Sequence, residues 1–153
     1  MMKTVDGDLI EMALRGRFEV IVHGCNCFHT MGAGIAKAIA TNFPEALAAD
    51  QDTEYGSHAK LGTISIATIE RGGTVFTIVN AYTQFKWRGR GRKVDYDAVE
   101  ACFREVADAF GDRRIAYPAI GAGLAGGDWS VIEGRISAAL YGCDHTLVRF
   151  SSS

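Results

Sequence analysis

Proline, cysteine, long apolar runs and an excess of either charge are all scarce in this sequence, and each shortage excludes something. There are two prolines in 153 residues, so each marks a break worth reading. The four cysteines, Cys25, Cys27, Cys102 and Cys143, are too few and too scattered for a disulfide framework, and Cys25-x-Cys27 is not zinc-finger spacing. Reduced thiols are expected, and no metal. The apolar stretches are strand-sized, far below the roughly 20 residues of a membrane-spanning helix. Met1 to Asp8 has no signal-peptide hydrophobic region, so a cytoplasmic protein with no membrane partner is expected. A formal charge of −2 offers no global positive field to track a nucleic-acid backbone, and any anion must be bound locally.

What is present is an ordinary globular composition, 48% hydrophobic and 22% charged. A chain of this length buries about 70% of the surface its unfolded form exposes, enough for one core, and a single domain over residues 1–153 is expected. Strand-like and helix-like segments alternate from end to end, the pattern of an α/β fold. Lys3 to Val5, Val20 to His23, Leu61 to Ile69, Thr74 to Ala81, Arg114 to Pro118 and His145 to Phe150 read as six strands. Helices are predicted over Gly34 to Asn42, Glu45 to Asp52, Asp95 to Phe110 and Trp129 to Leu140, the first two meeting at Pro44. Glu70-Arg71-Gly72-Gly73 signals a hairpin among crossover-connected strands. A mixed six-stranded sheet with helices on both faces, a three-layer α/β/α sandwich, is therefore expected.

The eighteen glycines are bunched, and two bunches each leave a strand and enter a helix. The first runs from Gly24 through Met31-Gly32-Ala33-Gly34-Ile35-Ala36; the second is Ile120-Gly121-Ala122-Gly123-Leu124-Ala125-Gly126-Gly127-Asp128. Glycine lets a ligand approach the backbone closely, and a helix N-terminus presents unpaired N–H groups and a partial positive charge. Two such loops suggest a diphosphate. Neither has the spacing of a dinucleotide fingerprint, and no Gly-Lys-Ser/Thr follows either one.

Over about Lys3 to Phe150 the chain resembles a macro domain, the α/β/α module that binds ADP-ribose. The matching pieces are Val5-Asp6-Gly7-Asp8-Leu9-Ile10, Val22-His23-Gly24-Cys25-Asn26-Cys27 leading into Met31-Gly32-Ala33-Gly34-Ile35-Ala36, and Ile120-Gly121-Ala122-Gly123-Leu124. The wording of both loops is most similar to the subgroup of ADP-ribose-1''-phosphate phosphatases and glutamate-type ADP-ribosyl hydrolases. The resemblance implies that Asp8 takes the adenine amino group with Leu9 beside it, and that Asn26 contacts the distal ribose. It implies that Gly32, Ala33, Gly34 and Ile35 wrap that ribose and one phosphate, that Gly121, Ala122, Gly123 and Leu124 hold the diphosphate, and that Phe150 lies against adenine. Each has a plainer reading. Asp8 caps a turn or short helix, Asn26 satisfies its own loop, and Phe150 fills an edge.

For catalysis the resemblance points to His23 and Asp128 acting with Asn26. The plainer readings are a buried histidine and a helix N-cap. Hydrolase relatives that work through a lysine and a loop aspartate have their places taken here by Gln84 and Ala125. The expected function is an ADP-ribose-binding hydrolase without a cofactor, foremost an ADP-ribose-1''-phosphate phosphatase. The alternatives are an ADP-ribosyl hydrolase acting on modified protein or nucleic acid, a non-catalytic ADP-ribose reader, and an RNA-binding module. Lys86-Trp87-Arg88-Gly89-Arg90-Gly91-Arg92-Lys93 packs five cations around an aromatic, and reads either as a solvated surface loop or as a grip for phosphate or RNA.

Overall fold

The continuous apolar runs form the inner strands. In the computed structural model, which describes residues 2–151, β2 (Val20–Cys25) and β4 (Thr74–Tyr82) are buried along nearly their whole length and pair in parallel. With β1 (Lys3–Gly7), β3 (Ile64–Arg71), β5 (Ile115–Tyr117) and β6 (His145–Phe150) they build one six-stranded sheet in the order β1-β6-β5-β2-β4-β3. Every pairing is parallel except β3 with β4. That hairpin turns on Gly72-Gly73, at φ 56 and 88, and positive φ at both central residues is what a tight two-residue turn requires.

Side chains alternate across the sheet and feed two cores. Ile21, Ala67, Ile69, Phe76 and Ile78 face one layer, made by α1 (Leu9–Leu14), α2 (Gly34–Asn42) and α3 (Pro44–Gln51). Val20, Val22, Val79 and Ala81 face the other, made by α4 (Tyr96–Phe110) and α5 (Trp129–Ala139). The three-layer sandwich expected from the sequence is thus what forms. Burying such two-sided apolar area, at about 25 cal/mol per Å², is its main support.

Pro44 begins α3, and Phe43 before it, at φ −132, ψ 80, stays out of the helical region that a residue preceding proline disfavours. Arg71 locks this corner, donating from both guanidinium nitrogens to the two Glu45 carboxylate oxygens at 2.7 and 2.9 Å. That fork holds the Glu45 carboxyl well below its ordinary range, at about 2.

Two local features depart from the sequence reading. A six-residue helix, α1, follows β1; it is too short to show a helical stripe. Strand β3 starts at Ile64 rather than Leu61, because a 3₁₀ turn at His58–Lys60 and Gly62 at φ 86 occupy the approach. Among the described residues no helix is long and apolar enough to cross a membrane.

Candidate functional site

The five parallel strands end on one rim, and both glycine loops leave it from neighbouring strands, β2 and β5. Between the loops lies a cleft of about 450 Å³. The first loop enters α2 through Ala33, an extended residue with no side-chain cap. The amides of Gly34, Ile35 and Ala36 therefore have no partner among the described residues, the ordinary condition of a helix start left open for an anion. In the second loop Gly127 N donates to Gly121 O at 2.7 Å and Gly126 N to Gly123 O at 3.0 Å. That folding leaves the amides of Gly121, Gly123 and Leu124 unspent on the protein, and all three residues line the cleft. Ala122 differs from the expectation. Its amide donates to Ala119 O at 3.2 Å and is not free for a phosphate.

Two glycines fix this shape by lack of a side chain. A Cβ on Gly121, at φ 76, would come within 2.6 Å of Val94 Cγ2, and one on Gly24 within 2.8 Å of Thr83 Oγ1. The strand end and the loop can approach each other only as glycine.

Gly32, Ala33, Gly34 and Ile35 all line the cleft, as does Asn26. The Asn26 amide is held by its own loop: Nδ2 donates to Thr30 O at 2.9 Å and Oδ1 accepts from Phe28 N at 2.8 Å. The plainer reading, an asparagine that satisfies its own loop, describes these bonds, and one Nδ2–H is left without a protein partner among the described residues. Gln84, Trp87 and Cys25 join the lining. Trp87 was legible only as the aromatic within a basic run. Burial pushes the Cys25 thiol well above its ordinary range, so it is no nucleophile. The cleft lining contains no carboxylate, imidazole or amine. Among the described residues no group of three or more His, Cys, Asp or Glu is placed to hold a metal ion.

The remaining expected site residues lie elsewhere. His23 is fully buried on the α3 side of β2, where Nε2 meets Asn80 Oδ1 at 2.6 Å. Asn80 Nδ2 is already spent on Ala46 O and Ser65 Oγ, so His23 Nε2 is the donor to Asn80 Oδ1. Burial takes its pKa down to about 4. His23 does not line the cleft; it lies one step beneath it, 3.7 Å from the Sγ of Cys25, which does. Asp128 caps α5, accepting from Ser130 N at 2.9 Å and from Ser130 Oγ at 2.7 Å, bonds that hold its carboxyl below the ordinary range. It is exposed and does not line the cleft.

Asp8 caps α1 by accepting from Glu11 N at 3.1 Å, and the Leu9 side chain is buried in the α1–α3 core. Phe150 is 77% exposed at the end of β6, in register with Gly7 of β1. Asp8 and Phe150 therefore share the rim on the β1–β6 side. They flank the cleft's strands without lining the cleft itself.

A doubly covered, mainly parallel sheet whose rim carries two sets of unpaired backbone amides defines a domain that binds a phosphorylated small molecule in the crevice beyond its strands. The chain belongs to the Macro domain family, whose sequence profile matches residues 22–136. It is 37% identical over 140 residues to an uncharacterized 17.5 kDa protein of Enterobacteria phage T4, covering 88% of this chain and 86% of that protein. It is 27% identical over 133 residues to the DNA ADP-ribosyl glycohydrolase of Mycobacterium tuberculosis, covering 87% of this chain. The match takes in only 37% of the mycobacterial protein's length. Its fold is that of Thermosipho africanus DarTG, solved in complex with ADP-ribose, at a TM-score of 0.76 and 17% identity over 99% of this chain and 42% of that one.

Proposed function

We propose that this chain binds ADP-ribose in the cleft and hydrolyses a bond at C1'' of its distal ribose. One observation carries the reading: two separate groups of unpaired amides, at Gly34 to Ala36 and at Gly121, Gly123 and Leu124, line a single cleft of about 450 Å³. A diphosphate bridges such a pair, one phosphoryl group on each, by charge-assisted N–H bonds and the α2 dipole. With the diphosphate fixed there, adenine runs toward Asp8 and Phe150 on the β1–β6 side and the distal ribose toward Asn26 and Gln84. The resemblance in sequence supports the same direction.

Water attacks C1'', its oxygen becomes the new hydroxyl, and the departing group takes the proton. The cleft supplies no titratable base, so Asn26 and Gln84 act by orienting the sugar hydroxyls and the water, and the amide cradles by preorganised positive charge. A macromolecular leaving group is favoured over 1''-phosphate. His23 and Asp128, on which the phosphatase route depends, are not in the cleft lining, the first buried against Asn80 and the second engaged as a helix cap, and the mycobacterial relative is a glycohydrolase. The test is to incubate the pure protein separately with ADP-ribosylated oligonucleotide, ADP-ribosylated protein and ADP-ribose-1''-phosphate. Release of free ADP-ribose from a modified macromolecule supports the reading. Phosphate release alone replaces it with the phosphatase, and calorimetric binding without turnover of any substrate leaves a reader.

A further inference from the structure

Beside the cleft stands a second surface that the ADP-ribose reading does not use. The segment between β4 and α4 is a strap, pinned at both ends. Gln84 and Val94 form an antiparallel bridge, Asp95 N donates to Thr83 O at 2.8 Å, and Lys93 N donates to Ala125 O of the second glycine loop at 2.7 Å. Lys86, Arg88, Arg90 and Arg92 on it are exposed. Lys3, Arg15, Arg71, Arg104, Arg114, Arg135 and Arg149 each hold a carboxylate, whereas no strap cation has one among the described residues. Arg88 and Arg92 lie instead over the rings of Trp87 and Tyr96, at 5.0 and 4.1 Å. Arg17, Lys37, Lys60 and Arg113 have no carboxylate among the described residues either, and Lys93 Nζ donates to Gly91 O at 3.2 Å, but only the strap gathers five such cations within eight residues.

The strap faces an aromatic platform. Phe28 contacts Trp87 at 5.8 Å, Tyr55 at 5.4 Å and Phe85 at 4.9 Å between ring centroids, and His58 stacks flat on Phe85 at 3.5 Å. Tyr55 is 65% exposed, braced at its edge by Phe28 and His29, and Trp87 is 39% exposed with Arg88 over its ring. They border a hollow of about 580 Å³ with Lys86, Arg88 and Gly89, and Trp87 lines both this hollow and the cleft.

We propose that the Tyr55–Trp87 platform and the Lys86–Lys93 strap bind a single-stranded nucleic acid, and that this strand is the carrier of the ADP-ribose. The inference rests on the proposed function, since it names that reaction's substrate class. An exposed ring such as Tyr55, and a guanidinium plane such as that of Arg88 over Trp87, stack on unpaired bases, which a duplex does not offer, while the other strap cations take the phosphates. Sharing Trp87 between the two surfaces puts the strand next to the distal-ribose end of the cleft, where the linkage must sit. An acidic peptide would satisfy the charges and leave the exposed Tyr55 ring without a role.

The test uses fluorescence anisotropy of the full chain with labelled oligo-dT and oligo-U of about 12 nucleotides, the length an exposed single-strand site spans, and with a duplex of equal length. Either single strand is expected to bind better than the duplex, and the stronger of the two identifies the sugar. Raising salt from about 50 to about 200 mM should weaken binding about a hundredfold, as release of counterions from some five phosphates requires. Tyr55→Ala, and separately the pair Arg88→Ala and Arg90→Ala, should each weaken strand binding about tenfold and leave ADP-ribose affinity within about twofold. No strand binding, equal affinity for duplex, indifference to Tyr55→Ala, or equal competition by polyglutamate overturns the inference. Calorimetry with free ADP-ribose separates the two readings. If ADP-ribose binds and no strand does, the inference alone falls; if ADP-ribose fails to bind, the proposed function falls.

Discussion

His23 on β2 and Asn80 on β4 sit at paired register positions, and the 2.6 Å bond between them is the inner end of a buried polar chain. From Asn80 it continues through Ser65 Oγ and Tyr82 OH to Asp50 Oδ1, linking three strands to α3. Each member is satisfied by the next, so the chain fixes the register of β2, β3 and β4 under the first glycine loop rather than weakening the core.

A pH dependence of stability follows from the neutral His23. Its pKa is about 6.5 in the unfolded chain and about 4 in the fold. As pH falls from about 6.5 to about 4, the unfolded chain takes up a proton that the folded one refuses, so stability falls. The loss levels off below about 4, at an order of 3 kcal/mol. His145, lowered by burial, adds to it in the same direction. Glu45 acts in a lower window: its contribution is present above about 4.5 and is lost as pH drops toward about 2. Thermal unfolding between pH 7.5 and 3 should show Tm declining from the first acid step, and the His23 ring should show no NMR titration above about pH 5. A flat Tm over that upper window contradicts the assignment.

Much of this fold was legible because it follows from period and punctuation. The apolar run of β2, the Gly72-Gly73 hairpin and the break at Pro44 each state a local preference that packing does not oppose. The site was legible as backbone, since bunched glycine at a strand end advertises open amides whatever side chains surround it. Side-chain direction was harder. His23 shares the face of Ile21 and Cys25 on β2, but only Cys25, at the strand's end, reaches the cleft lining, and depth along a strand is not written in a motif. The caps at Asp8 and Asp128 were readable as caps, but not that neither residue would be in the cleft lining. Nothing in the sequence indicates that Lys93 ties the strap to Ala125, because the pairing spans two loops.

Gly127→Ala tests the second cradle as packing. A Cβ there would lie 2.5 Å from Val94 Cγ1 and 2.8 Å from Gly121 O, and the backbone oxygen cannot step aside. The substitution should cost about 1–3 kcal/mol in urea unfolding, with an unchanged slope. Because it displaces Gly121, ADP-ribose affinity should fall with it. Wild-type stability in this variant would mean that the loop is not packed as described.

Asp128→Ser separates capping from chemistry. Serine caps α5 as aspartate does but carries no carboxylate. If the side chain serves only the helix, Tm and the hydrolytic rate both stay within error of wild type, while Asp128→Ala lowers Tm. A large fall in kcat for Asp128→Ser at wild-type Tm would return the carboxylate to the reaction.

Gly123 gives the sharpest separation of binding from folding. It lines the cleft in ordinary backbone conformation, and a Cβ there meets nothing within 4 Å. Gly123→Val should therefore leave the urea midpoint where it is and still block the diphosphate from its amide, lowering ADP-ribose affinity by tenfold or more, about 1.4 kcal/mol. Intrinsic fluorescence reads this directly, because Trp87 lines the cleft while Trp129 packs against the α4–α5 core. ADP-ribose should change the emission of wild type and of Trp129→Phe, and not that of Trp87→Phe. Undiminished affinity in Gly123→Val, or a signal that follows Trp129 instead, would place the nucleotide somewhere other than between the two loops.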